Sequence, residues 1–148
     1  MAIPLVAGCC AVLRETLGAV GVSTSSGALI KALLVNGADD LGLPRSDQGF
    51  GRVNIKNSLV RVDGRRNGGG DFVDVGVPTG PTLEEGQNWT QEIPLAALTQ
   101  PGTLKVTLAY PDRQGAILQN NLTLKVEIRQ RSGNIIAKRG DERVRSGE

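Results

Sequence analysis

From Ala2 to Leu13 every position is apolar apart from Pro4 and Gly8. A run of that length with no polar stripe predicts a helix meant to be enclosed on every side, because a surface helix sets an apolar face against a polar one. Pro4 falls in the first turn, where its missing N–H would have no partner anyway. Gly18 and Gly21 offer ways to stop the helix. Ser23 to Ser26 supply N-cap candidates for a second helix. Its apolar positions are Ala28, Leu29, Ala32, Leu33 and Val35, its polar ones Lys31 and Asn36, and Gly37 makes a plausible C′ residue. Asp47 to Asn54, reading DQGFGRVN, predicts a tight turn into an extended stretch. Ile55 to Val60 predicts a last short helix.

Further along, the period changes to two. Val73, Val75 and Val77 alternate with Asp74 and Gly76. Leu104, Val106, Leu108 and Tyr110 alternate with Lys105, Thr107 and Ala109, and Leu122, Leu124, Val126 and Ile128 with Thr123, Lys125 and Glu127. Such alternation predicts half-buried strands. Trp89 to Leu95 and Asn134 to Ala137 add weaker candidates, and Pro101-Gly102 and Ser132-Gly133 mark turns. Between the two regimes lies DGRRNGGG, Asp63 to Gly70, whose glycines and arginines cannot build a packed face. The expected organisation is α+β. Residues 1–63 form a helical part and 64–70 a Gly/Arg-rich linker. Residues 71–137 form a small antiparallel, jelly-roll-like β-sandwich, and 138–148 a charged tail. No internal repeat is visible.

Composition narrows the picture only modestly. The 148 residues suffice for one domain or two small units. Seventeen basic and 15 acidic residues leave +2, too near neutral to imply nucleic acid or a membrane surface as partner. With aromatics at 3%, packing must rest on Leu, Val, Ile and Ala. Cys9 and Cys10 are adjacent and point in different directions on a helix, so they form no intramolecular bridge and read as small apolar residues. No run approaches the roughly 18 apolar residues of a membrane span. The first basic residue is Arg14, so the N-terminus lacks the positive region of a signal peptide. The compartment is left open.

MAIPLVAG, residues 1–8, resembles the helix that directly follows the nucleophile in subtilisin-like serine proteases, G-T-S-M-A-x-P-x-V-A-G, with Met1, Ala2, Pro4, Val6, Ala7 and Gly8 matching. ALIKALLVNGADDLG, Ala28 to Gly42, looks like the penultimate helix of the subtilase catalytic domain and the turn after it. DQGFGRVNIKNSL, Asp47 to Leu59, looks like the segment that closes that domain. TLKVTLAYPD and then ILQNNLTLKV are similar to the β-sandwich appended in one branch of the family. About 130 residues are covered, in the correct order. The resemblance therefore implies the C-terminal helices of a subtilase α/β catalytic domain followed by the sandwich. On this resemblance the nucleophilic serine would stand immediately before Met1, and the His, Asp and oxyanion-binding Asn would lie upstream.

The resemblance implies a C-terminal fragment of a serine endopeptidase whose parent hydrolyses peptide bonds. The chain itself has no histidine, so no choice among Ser23, Ser25, Ser26, Ser46, Ser58, Ser132 and Ser146 completes a triad. Catalytic, cofactor-binding and metal-ligating residues are thus expected to number none, and the chain to be inactive alone. Ile3 stands where the family usually has Thr or Ser. Asn120 to Thr123 stand where relatives often carry acidic residues. Calcium prefers carboxylates, so no calcium site is expected there. Implied partners are the parent's polypeptide substrate and the missing N-terminal catalytic part. No signal peptide is visible, although family members are often secreted. The alternative function is a non-catalytic β-sandwich binding module; a single Trp and a single Tyr argue against a carbohydrate platform.

Other strings weigh less. Arg139-Gly140-Asp141 is a short match in a charged tail. Asn88-Trp89-Thr90 and Asn121-Leu122-Thr123 are glycosylation sequons. Glu84 and Glu85 would point to opposite sides of an extended chain. Gly49-x-Gly51 lacks the third glycine of a dinucleotide loop, and Gly68 to Gly70 lacks the Lys-Ser/Thr of a phosphate loop. Arg65 and Arg66 read as solvated linker. Cys9, with no His partner in an apolar helix, is no nucleophile. A helix built for enclosure forfeits about 1–2 kcal/mol for each apolar side chain it exposes. Residues 1–63 are therefore expected to be loosely packed, self-associated or docked on the sandwich, and the sandwich to be the better-protected half.

Overall fold

The structure is a computed structural model that describes residues 2–22, 24–59, 72, 74, 83–92, 104–112, 114–117, 119–129, 133 and 135–139. The chain divides into two units, Met1–Ala109 and Tyr110–Glu148. The first holds four helices, α1 (Ile3–Ala19), α2 (Gly27–Gly37), α3 (Arg45–Gln48) and α4 (Ile55–Ser58). The second holds two strands, β1 (Lys125–Arg129) and β2 (Ile135–Arg139).

Helix α1 begins at the apolar run, with Ala2 as an N-cap that makes no side-chain cap bond and Pro4 in the first turn. Its end is a Schellman motif. The Val22 N–H donates to the Leu17 carbonyl at 2.9 Å and the Gly21 N–H to the Gly18 carbonyl at 3.0 Å. Gly21, at φ 88°, takes the left-handed position that a side chain would resist. Ser26 starts α2, its hydroxyl accepting from the Leu29 N–H at 2.9 Å, so one of the expected serines is the cap. Gly37 is not the C′ residue expected; it is the last helical residue, and Ala38 turns away extended (φ −63°, ψ 140°).

The core is small. Leu13, Leu17, Leu29 and Ile30 form its buried centre, with Cys10, Val20, Val22, Leu33, Leu34, Ile55, Leu59 and Phe72 packed around it. Cys10, Leu13 and Leu17 recur at three- and four-residue spacing, so one stripe of α1's C-terminal half faces α2. The first turn is bare: Ile3 is 84% and Leu5 73% exposed. The enclosure predicted for α1 is met along that one stripe alone.

The α+β expectation, with a jelly-roll-like β-sandwich over 71–137, is corrected. Regular structure among the described residues is mainly helical, and no sandwich is seen. Among the described residues strand is confined to the antiparallel pair β1–β2, with Lys125 opposite Arg139 and Arg129 opposite Ile135. An isolated two-stranded pair has no second sheet to bury a face against and is marginal by itself. Residues 104–110 and 83–92 form no regular strand. The reason is visible in the former. Lys105 Nζ donates to the Ala38 carbonyl at 3.1 Å, and Asn36 Nδ2 donates to the Lys105 carbonyl and to Thr107 Oγ1, both at 3.0 Å. The polar positions of that run are anchored to the end of α2, while Leu104, Val106 and Leu108 stay 44–46% exposed. Alternation becomes a strand only where a neighbouring strand completes the ladder. The linker 64–70, Val73, Val75 and Val77, residues 93–95 and residues 140–148 lie outside the described residues, while Lys138 and Arg139, expected in the charged tail 138–148, belong to β2.

Candidate functional site

The best-organised polar cluster lies where the chain leaves α2. Asp39 and Arg52 form an isolated antiparallel bridge, each backbone N–H donating to the other's carbonyl at 2.9 Å. The Asp39 carboxylate then gathers side chains from three later positions. Asn54 Nδ2 donates to Oδ1 at 3.1 Å and to Oδ2 at 3.0 Å. Asn57 Nδ2 donates to Oδ1 at 3.0 Å, and the Arg52 guanidinium reaches Oδ2 at 3.3 Å. Asn54 serves twice, for its Oδ1 also caps α4 by accepting from the Asn57 N–H at 3.2 Å. Gly51 (φ 109°) passes so close to the Asp39 carbonyl that an added Cβ would collide with it. Next door, Asp40 Oδ1 accepts from the Gly42 N–H at 2.9 Å and from Gln48 Nε2 at 2.8 Å.

These contacts decide the electrostatics. The Asn54 amide holds the Asp39 carboxyl below its ordinary range, against a smaller opposing effect of burial, and Arg52 adds to the lowering. The Gly42 N–H and then Gln48 do the same for Asp40. A general acid or base serves best with a pKa near the working pH. Two carboxyls pushed further into the ionised range by internal donors fit a structural role, Asp39 clasping the α2 terminus to α4 and Asp40 holding the turn at Gly42 and Gln48. They do not fit proton transfer at neutral pH.

A second polar contact ties α2 to a distant part of the chain. The Ser26 N–H donates to Asp74 Oδ2 at 2.9 Å and Ser26 Oγ donates to Asp74 Oδ1 at 2.7 Å, while the same hydroxyl accepts from Leu29. Asp74 thereby sits at a helix N-terminus, where a carboxylate is favoured. This pairs a serine with an aspartate and supplies no base between them.

The other serines are similarly committed. Ser25 is buried and accepts from Arg14 at 3.5 Å; Ser58 is buried and donates to the Asn54 carbonyl at 2.9 Å; Ser46 donates to Asp47 at 2.9 Å. Ser23, Ser132 and Ser146 lie outside the described residues. Cys9 and Cys10 are free and half-buried on α1. Glu84 and Glu85 are exposed, as are Asn88 and Asn121. Among the described residues no three acidic, Cys or His side chains group as metal ligands, and no helix is long and apolar enough to cross a membrane.

Sequence reasoning passed over the Asp39 clasp and the Asp74 cap. The strings GADDLG and GRVN, which hold Asp39, Arg52 and Asn54, were conspicuous, but nothing in their spacing says that Asp39 and Asn54 meet. Comparison with family models, curated proteins and solved structures finds no match for this chain.

Proposed function

We propose that this chain is the C-terminal part of a subtilisin-like serine endopeptidase, and that it is inert by itself. The observation that carries the reading is the N-terminal part of α1: apolar on all sides as far as Leu13, yet with Ile3, Leu5 and Val12 exposed and cover confined to one stripe toward its C-terminal half. Such a helix asks for further protein around its first turns. The motif order from Met1 to Leu59 points to a subtilase catalytic part as that protein. The parent would cleave polypeptides by serine attack on the peptide carbonyl, with a histidine taking the proton and an aspartate orienting it. With no histidine in the chain, base and nucleophile would both come from the upstream part.

The test joins two measurements. Reading the transcript across the Met1 codon should reveal an in-frame Gly-Thr-Ser, and the native protein should weigh well over 15.6 kDa. A stop codon there, with a native mass of 15.6 kDa, would remove the endopeptidase assignment. Separately, the purified chain should neither hydrolyse a peptide substrate nor label with a fluorophosphonate; turnover that survives repurification overturns the claim of inertness.

A further inference from the structure

Six asparagines fall among the described residues, Asn36, Asn54, Asn57, Asn88, Asn120 and Asn121, and they sort into two groups. The side-chain amides of four are spent on internal partners. Asn36 donates to the Lys105 carbonyl, Asn54 and Asn57 to Asp39, and Asn120 to Asp112 Oδ1 at 2.7 Å. The remaining two, Asn88 and Asn121, are exposed and make no side-chain hydrogen bond among the described residues. They are also the two that carry threonine two positions later, Thr90 and Thr123, and neither middle residue is proline. We propose that Asn88 and Asn121 are acceptor sites for N-linked glycan.

The local backbone suits this at both places. Residues 83–92 are exposed throughout, and Asn88 directly follows a turn in which the Gln87 N–H donates to the Glu84 carbonyl at 3.1 Å. Asn121 follows a pinned residue, since Asn120 N–H donates to Asp112 Oδ1 at 3.0 Å and Tyr110 Oη donates to the Asn120 carbonyl at 2.9 Å. The chain is thus held just before Asn121, whose side chain stays in solvent, and β1 begins only at Lys125. A bulky, solvated glycan is compatible with a fold only at such surface positions outside regular ladders. Each sequon also has an exposed apolar residue at its centre, Trp89 and Leu122, which a glycan would cover.

In the step itself, the asparagine amide nitrogen bonds to the anomeric carbon of a lipid-diphosphate-linked oligosaccharide. The carbon–oxygen bond to the diphosphate breaks, the lipid diphosphate leaves, and the nitrogen gives up one proton. The inference requires passage through a eukaryotic secretory route and is independent of the protease reading. The full chain, expressed behind a cleavable secretory leader, should migrate as two steps above its deglycosylated form. Enzymatic release in heavy-oxygen water should leave the isotope at Asn88 and Asn121. N88Q or T90A should remove one step, N121Q or T123A the other, and T90S and T123S should keep both. Peptide mapping of secreted and cell-retained chain covers the case of poor export. Both asparagines unmodified in both pools overturns the proposal, and modification at one alone overturns it for the other.

Discussion

At the scale of single residues, Gly51 and Asp39 are the positions where geometry leaves least freedom. A Cβ at Gly51 would meet the Asp39 carbonyl on a backbone already at φ 109°, and holding a non-glycine residue in such a conformation costs about 1–3 kcal/mol. Gly51→Ala should therefore lower the denaturant midpoint of the helical unit clearly, and an unchanged midpoint would mean that the Asp39–Arg52 bridge is dispensable. Asp39 adds a pH dependence of defined sign. Its folded pKa lies below the ordinary value, chiefly through Asn54. The stability it contributes is accordingly present above the ordinary Asp range, about pH 4, and is lost as pH falls through the depressed folded value. Asp39→Asn should flatten the acid limb of a stability–pH curve while leaving its slope near neutrality alone. Parallel acid limbs in the two proteins would show that the clasp carries no linkage. Neither residue was marked by spacing, because a thirteen-residue separation between bridge partners is long-range in sequence and local only once α2 has ended and the chain has turned back.

At the scale of elements, the stop of α1 and the starts of α2 and α4 obeyed their local signals, Gly37 did not, and of the runs expected as strand residues 125–128 and 135–137 lie in strands while residues 104–110 do not. Pro4, Gly21, Ser26 and Asn54 each act within a few residues of themselves, so cap, stop and start were readable before any packing was known. What α1 packs against was not readable, since an all-round apolar run gives no hint of which stripe is covered. Leu17 is fully buried against α2. Leu17→Ala should cost about 2–5 kcal/mol, whereas Ile3→Ser, at a side chain already in water, should stay within roughly 0.5 kcal/mol. Urea melts of the two variants check both numbers, and equal losses would place the first turn of α1 in the core. Exposed apolar surface of this kind promotes association. Ile3→Ser combined with Leu5→Ser should shift light scattering toward monomer, and an unchanged mass distribution would mean that the bare turns of α1 are not what associates.

At the scale of the whole molecule, each unit has its own balance of burial. The buried hydrophobic residues of the described chain, Leu13, Leu17, Leu29, Ile30 and Ala38, all fall in the helical unit. The described side chains of β1, Lys125–Arg129, and Ile135 of β2 are exposed or half-buried. The order of protection expected from a sandwich should therefore be reversed. Amide exchange should be slowest at Leu29 to Leu34 in α2 and faster at Lys125 to Arg129; the opposite order would require a face of β1–β2 to be covered in solution. The sequence by itself determined the stop of α1, the starts of α2 and α4, the polar character of the turns and the impossibility of a triad on this chain. All of these depend on residue identity or on interactions a few positions long. Only the tertiary structure decided that residues 104–110 tie their polar side to α2 instead of entering a ladder, that one stripe of α1 is enclosed, and that Asp39 collects Arg52, Asn54 and Asn57. An alternating pattern states which side chains can share a face. Whether that face finds a partner depends on contacts between segments far apart in the chain, and those are settled only as burial and hydrogen-bond satisfaction are met together.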